Sequence, residues 1–142
     1  MVKILYLNLG GCNGCDIELL AGVFRLEERG ISLERPDHNI EHDEYDITIV
    51  TGPGTLGNFC RILNSIKRFG RINFGDVIIL GSCACGGGIW YDSYMVTGGW
   101  DYIIEELKAR GIDVKYRSKI YVTGCPVRPE DVEKAIVQVL HR

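Results

Sequence analysis

Five of the six cysteines in this 142-residue chain sit in three glycine-rich segments. The first is Gly10-Gly11-Cys12-Asn13-Gly14-Cys15-Asp16-Ile17-Glu18. The others are Gly81-Ser82-Cys83-Ala84-Cys85-Gly86-Gly87 and Gly124-Cys125-Pro126. Thiolates are the ligands that soft metals select, and a C-x-x-C pair offers two of them on one turn. The N-terminus, Met1-Val2-Lys3-Ile4-Leu5-Tyr6, carries one positive charge and a strand-like run too short for a secretory signal. A cytoplasmic location is therefore expected, where thiols stay reduced and disulfides are rare. Metal ligation or redox chemistry is the reading that remains. Structural zinc favours paired C-x-x-C knuckles in small, core-poor units, whereas iron–sulfur clusters accept dispersed thiolates. Single cysteines on separate segments of a core-forming chain favour iron–sulfur and leave zinc open.

The elements that must position these residues alternate. Val2 to Leu7 is an apolar run of the kind covered on both faces of a sheet. Asp16 to Arg29 then reads as a helix, with Ile17, Leu20, Ala21, Phe24 and Val23 on its apolar face and Gly30 ending it. Asp46 to Thr51 predicts a second core strand. Gly52-Pro53-Gly54-Thr55 is a turn that opens a helix reaching Phe69. Asp76 to Leu80 and Lys119 to Thr123 are further strands, and Val114 belongs to a short edge strand. Helices are expected from Trp100 to Arg110, closed by Gly111, and from Pro129 to Leu140. The polar piece from Ile31 to Tyr45 carries no clear signal.

Strands alternating with helices of this length predict an α/β fold, a mostly parallel sheet with helices on both faces. One domain over residues 1–142 is expected. In such a sheet every strand-to-helix turn lies on the carboxyl edge, where ligands bind. The cysteine segments all follow strands, so the fold class brings them to one edge despite their separation in sequence. Their glycines permit close backbone approach and can leave N–H groups facing sulfur. Cys60 falls inside the second helix among Phe59, Ile62 and Leu63 and reads as a small core residue. Five cysteines then compete for a site that takes four.

Composition narrows the function classes. The net charge is −3 with scattered basic residues, which excludes a nucleic-acid footprint. No apolar run approaches the roughly 18 residues that span a bilayer. The chain also lacks a nucleophile–base pair or a nickel-type ligand set of its own.

Four motifs taken in order carry a resemblance: C-x-G-C-D-I-E, G-P-G-T, G-S-C-A with trailing glycines, and G-C-P-x-R-P-E. Together they resemble the small subunits of [NiFe]-hydrogenases and the cluster-bearing 20 kDa-type subunit of respiratory complex I, across nearly the whole chain. The resemblance implies a flavodoxin-like fold carrying one [4Fe–4S] cluster on Cys12, Cys15, Cys83 and Cys125. It assigns Cys83 rather than Cys85, whose role it leaves undefined; Cys83 also stands three residues beyond Leu80, where the strand ends. No cysteine follows Cys125 before Arg142, so one cluster is expected. Complex I members carry adjacent cysteines in the first motif, whereas Cys12-Asn13-Gly14-Cys15 has the hydrogenase spacing. On a short, complex I-like body this resembles the energy-converting, membrane-associated [NiFe]-hydrogenases. Val127 departs from the complex I-like motif, which has a second proline there.

The resemblance thus implies an electron-transfer subunit of an oxidoreductase complex, with the catalytic site on a [NiFe] large subunit. Its further partners are a ferredoxin-like iron–sulfur subunit and membrane subunits that hold it peripherally on the inner face of the membrane. A complex I-like quinone-reducing subunit and a zinc-stabilised binding domain are the alternatives. The cysteine edge is expected to face the large subunit. Glu18 is either a proton relay or partner contact, or an acid paired with the dipole of its first helical turn. Thr55 either frames the cluster pocket or belongs to an ordinary turn. Trp90, Tyr91, Tyr94 and Met95 are either an interface patch or packing beneath a long loop. His38 and His42 read as surface residues.

Overall fold

The computed structural model describes residues 3–9, 14–24, 26, 40–52, 54–81, 84, 96–124 and 127–140. Its centre is a four-stranded parallel sheet of β1 (Ile4–Asn8), β2 (Ile47–Thr51), β5 (Asp76–Leu80) and β8 (Ser118–Val122), ordered β1-β2-β5-β8. Two small pairs flank it. β3 (Gly54–Thr55) runs antiparallel to β6 (Val96–Gly98), and β4 (Arg71–Asn73) runs parallel to β7 (Asp113–Lys115). The helices are α1 (Gly14–Phe24), α2 (Leu56–Lys67), α3 (Trp100–Ala109) and α4 (Pro129–Leu140).

Alternation along the strands explains the two layers, because successive side chains leave opposite faces of a sheet. Leu5 and Leu7 of β1, Val50 of β2 and Val77 and Ile79 of β5 point to one face. There they meet Phe59, Ile62 and Ile66 of α2 and Trp100, Ile103 and Leu107 of α3. Tyr6, Ile47, Ile49, Ile78 and Leu80 point to the other face, under Leu19 and Val23 of α1 and Val132, Ala135, Ile136 and Val139 of α4. The expected α/β fold with helices on both faces is what forms. α1 and α4 approach so closely that a Cβ on Gly22 would lie 2.9 Å from the Pro129 carbonyl oxygen.

The ends of α3 and α4 follow from their sequence. Gly111, at φ +84°, ends α3 just after Arg110. Pro129 opens α4, with Glu130 and Asp131 in the first turn where the helix dipole favours acids. Register matters most for the site. Asn8 pairs with Thr51, Thr51 with Leu80, and Leu80 with Val122, so all four strands end in one row.

Several expectations are corrected. α1 ends at Phe24 rather than Arg29, and Gly30 lies outside the described residues. Its buried stripe is Leu19, Gly22, Val23 and the following Leu26, while Ile17, Leu20, Ala21 and Phe24 face outward. Gly54 and Thr55 form a strand because Val96–Gly98 lies alongside, so α2 starts one residue later. Cys60 is exposed rather than a core residue. The buried stripe of α2 is Phe59, Ile62, Leu63 and Ile66, and one further step of about 100° turns position 60 away from it. Cys60 instead lines a cleft with Ile40, Glu41, Arg61, Asn64 and Arg68. Val114 does lie in a short strand, paired with β4 outside the main sheet.

Candidate metal centre at the carboxyl edge

The row of strand ends continues into turns built on glycine. Gly52 follows β2 at φ +81°, Gly81 follows β5 at φ +87°, and Gly124 stands two residues past β8 at φ +146°. Left-handed backbone of this kind is strained for any residue with a Cβ. Glycine therefore stands at the point where β2, β5 and β8 give out.

Cys15 is the described member of the predicted ligand set. It opens α1, is half-buried, and packs against the core layer shared by α1 and α4. A Cβ built on Gly81 would sit 2.5 Å from Cys15 Sγ and 3.5 Å from the Gly124 carbonyl oxygen. The Cys15 sulfur thus occupies the space a side chain at position 81 would need, with the Gly124 turn alongside. β1 and β5 are separated by β2 in the sheet, yet the segment leaving β1 delivers its second cysteine to the ends of β5 and β8. Gly81 is two residues from Cys83 along the chain, and Gly124 directly precedes Cys125. The described residues that lead into both segments therefore stand beside Cys15 Sγ.

The described residues beside these segments in sequence are apolar and buried. Leu9, Leu80, Ala84 and Val127 are all at most 1% exposed. Val127 joins the core under α4, which gives the departure from the second proline a packing role. Ala84, between Cys83 and Cys85, is fully buried and anchors that segment in the opposite layer. Cys12, Cys83, Cys85 and Cys125 lie outside the described residues, as do Trp90, Tyr91, Tyr94, Met95 and His38. Among the described residues, no group of three or more His, Cys, Asp or Glu gathers as a metal site. Glu18 is half-buried in the first turn of α1. Thr55 lies in β3, and His42 is exposed with its ring edge-on to Tyr45 at 5.8 Å.

The donor chemistry fits a sulfur-ligated metal group. A cradle whose nearest wall is glycine leaves room beside the sulfur that any larger residue at position 81 would fill. The sequence took the outward stripe of α1 for its packed face; the signal for the buried one was a second apolar series, Leu19, Val23 and Leu26, interleaved with the first.

Fold and site together define an α/β protein in which Cys15 meets Gly81 and Gly124 at the carboxyl end of a parallel sheet. The chain belongs to the NADH ubiquinone oxidoreductase 20 Kd subunit family, which it matches over residues 12–139. It is 32% identical over 143 residues to the probable membrane-bound hydrogenase subunit mbhJ of Pyrococcus furiosus, covering 98% of this chain and 74% of that protein. It is 46% identical over 119 residues to an NADH-quinone oxidoreductase subunit of Heliobacterium modesticaldum, covering 82% of this chain and 58% of that protein. A solved structure of the [NiFeSe]-hydrogenase of Dm. baculatum shares the fold at TM-score 0.67 and 16% identity. The chain spans 62% of that hydrogenase chain, with 99% of its own length covered. The resemblance carried by the four motifs is thereby borne out at the level of family. Among the described residues no helix is long and apolar enough to cross a membrane.

Proposed function

We propose that this chain is the electron-transfer subunit of an energy-converting, membrane-associated [NiFe]-hydrogenase, held at the membrane by its partners. The reading gives it one [4Fe–4S] cluster on Cys12, Cys15, Cys83 and Cys125, beside the [NiFe] site of a large subunit. The observation that carries it is the seat of Cys15 Sγ against Gly81 and the Gly124 turn. When bound, such a cluster stores and passes one electron at a time. The work of this chain's residues is to hold and to shield. Four thiolates come from three turns fixed by one sheet, so their spacing is set by strand register rather than by flexible loops. Leu9, Leu80 and Val127 keep water from the inner side, which raises the influence of nearby dipoles on the metal's potential.

The C-x-x-C spacing and the match to mbhJ over 98% of this chain support a hydrogenase setting. The higher identity to the Heliobacterium modesticaldum NADH-quinone oxidoreductase subunit favours a quinone-reducing complex instead. The test is to purify the complex from its native host through a tag on this chain. Iron, sulfide and zinc are measured per chain, with a low-temperature paramagnetic spectrum after reduction. A brown preparation with one [4Fe–4S] signal on this subunit is expected. A colourless zinc protein would refute the electron-transfer reading. Hydrogen evolution from a reduced viologen, without quinone reductase activity, separates the hydrogenase setting from the quinone one.

A further inference from the structure

α1 carries two apolar stripes and only one of them is used. Leu19, Gly22 and Val23 pack inward on the sheet and α4. Ile17, Leu20, Ala21 and Phe24, spaced i, i+3, i+4 and i+7, face outward; Ile17 is 66% and Phe24 73% exposed. A helix apolar on both sides is expected to be covered on both. Its first turn holds Cys15, so the outer stripe begins at the metal edge and runs away from it.

We propose that this outer stripe is the docking surface for the same partner subunit that covers the cysteine edge, received in an apolar groove. The inference rests on the electron-transfer reading for the identity of that partner, the large subunit. Area argues for one shared occupant. Four side chains fall well short of the roughly 800 Å² per partner that a stable interface buries. Whatever covers the stripe must extend onto neighbouring surface, and the cysteine edge adjoins it. A second copy of this chain seated there would cover the edge where electrons must leave. Charge fixes the groove's polarity. α1 has Asp16 and Glu18 in its first turn and no Lys or Arg between residues 14 and 24. The fitting groove is therefore apolar along its length, with a cation or hydrogen-bond donor at its cysteine end. A lipid surface fits less well, because interfacial helices set basic residues opposite their apolar face, and the opposite face of α1 is protein core.

The test uses the complex purified from its native host through a tag on this chain, with Ile17→Asp, Phe24→Asp and Tyr102→Ser. Tyr102 is an exposed side chain on α3, across the sheet. Both aspartate variants are expected to lower the amount of large subunit recovered per chain by roughly tenfold or more, as for a central interface anchor. Iron per chain and the Tyr102→Ser complex should stay unchanged. Phe24 lies nine positions beyond Cys15, so Phe24→Asp alone decides the matter if Ile17→Asp also loses iron. Unchanged large-subunit recovery in Phe24→Asp overturns the proposal. So does a complex that keeps its large subunit while the variant chain passes from dimer to monomer, or while it loses binding to vesicles of anionic lipid. An unsubstituted complex without iron would count against the proposed function alone, since the docking result is read from subunit stoichiometry.

Discussion

Replacing Gly81 by alanine isolates the contact that brings the cysteine segments together. Two effects act at this position. The first is backbone: at φ +87° a residue with a Cβ carries about 1–2 kcal/mol of left-handed strain. The second is space, since the new Cβ would stand 2.5 Å from Cys15 Sγ against an ordinary contact of about 3.5–4 Å. Restoring contact distance moves the sulfur or the Gly81 turn by about 1 Å, twice the roughly 0.5 Å within which a functional ligand set must be held. Gly111→Ala separates the two effects, because Gly111 has φ +84° and nothing within 4 Å of its would-be Cβ. Gly111→Ala should therefore destabilise by about 1–2 kcal/mol and leave iron per chain untouched. Gly81→Ala should destabilise by about 2–5 kcal/mol, adding an overpacking term of about 1–3 kcal/mol, and should lose most of its iron. The assay is iron and sulfide per chain in the purified complex, with thermal unfolding alongside. Full iron occupancy and an unaltered paramagnetic spectrum in Gly81→Ala would show that the sulfur is not held where the reasoning needs it.

Three further outcomes are expected. Gly22→Ala places a Cβ 2.9 Å from the Pro129 carbonyl oxygen and 3.2 Å from Val132, so α4 must shift; a loss of about 1–3 kcal/mol is expected by chemical denaturation. Cys60 should react with a maleimide in the folded protein, and Cys60→Ser should change stability by no more than about 0.5 kcal/mol; slow labelling that needs denaturant would return it to the core. Tyr121 has its pKa raised above 10.0, first by burial and then by the hydrogen bonds its hydroxyl donates to Asp101 at 2.9 and 2.8 Å, against the opposing charge of Lys119. A raised phenol stabilises the fold below the unfolded value near 10, and that stability is lost as pH rises through the folded one. An ultraviolet titration compared with Tyr121→Phe should show the missing phenol ionising later than a free tyrosine.

How much was legible depended on whether the deciding contacts were local. β5 and α4 are found over the spans expected, because a continuous apolar run and a proline-opened amphipathic segment each announce themselves within their own residues. That the parallel strands end in one row was legible too, since it follows from the fold class and needs no side-chain detail. The pairing of Gly54–Thr55 with Val96–Gly98 was not, because neither stretch carries strand length or alternation and each needs the other from far along the chain. Cys60 was misread because position 60 is only one step from Phe59, and a small side chain gives no signal of which side it faces. On α1 periodicity offered two answers. Ile17, Leu20, Ala21 and Phe24 fit a helical stripe as well as Leu19, Val23 and Leu26 do, and only the position of α4 decides between them.

The two ends of the sheet are built for different purposes. At the amino end, the register row Ile4, Ile47, Asp76 and Ser118 closes upon itself. The buried Asp76 carboxylate accepts hydrogen bonds from Arg117 at 2.8 and 3.1 Å and from Ser118 at 2.6 Å. Arg117 also donates to the Asp46 carbonyl at 3.1 Å, and the Asp46 side chain accepts from the Lys3 amide at 2.8 Å. The guanidinium is held charged beyond its usual range, first by the hydrogen bond to Asp76 and then by that carboxylate's charge. Those groups satisfy one another, so this end fastens strands and offers a ligand little. At the carboxyl end the strands stop level, positive-φ glycines follow β2, β5 and β8, and the Cys15 sulfur lies against Gly81 instead of another side chain. A fold gains nothing in packing from three cysteine-bearing glycine turns, since glycine is the residue that loses most conformational freedom on ordering. The proposed cluster would give those glycines a purpose, and the same end is where the outward apolar stripe of α1 begins.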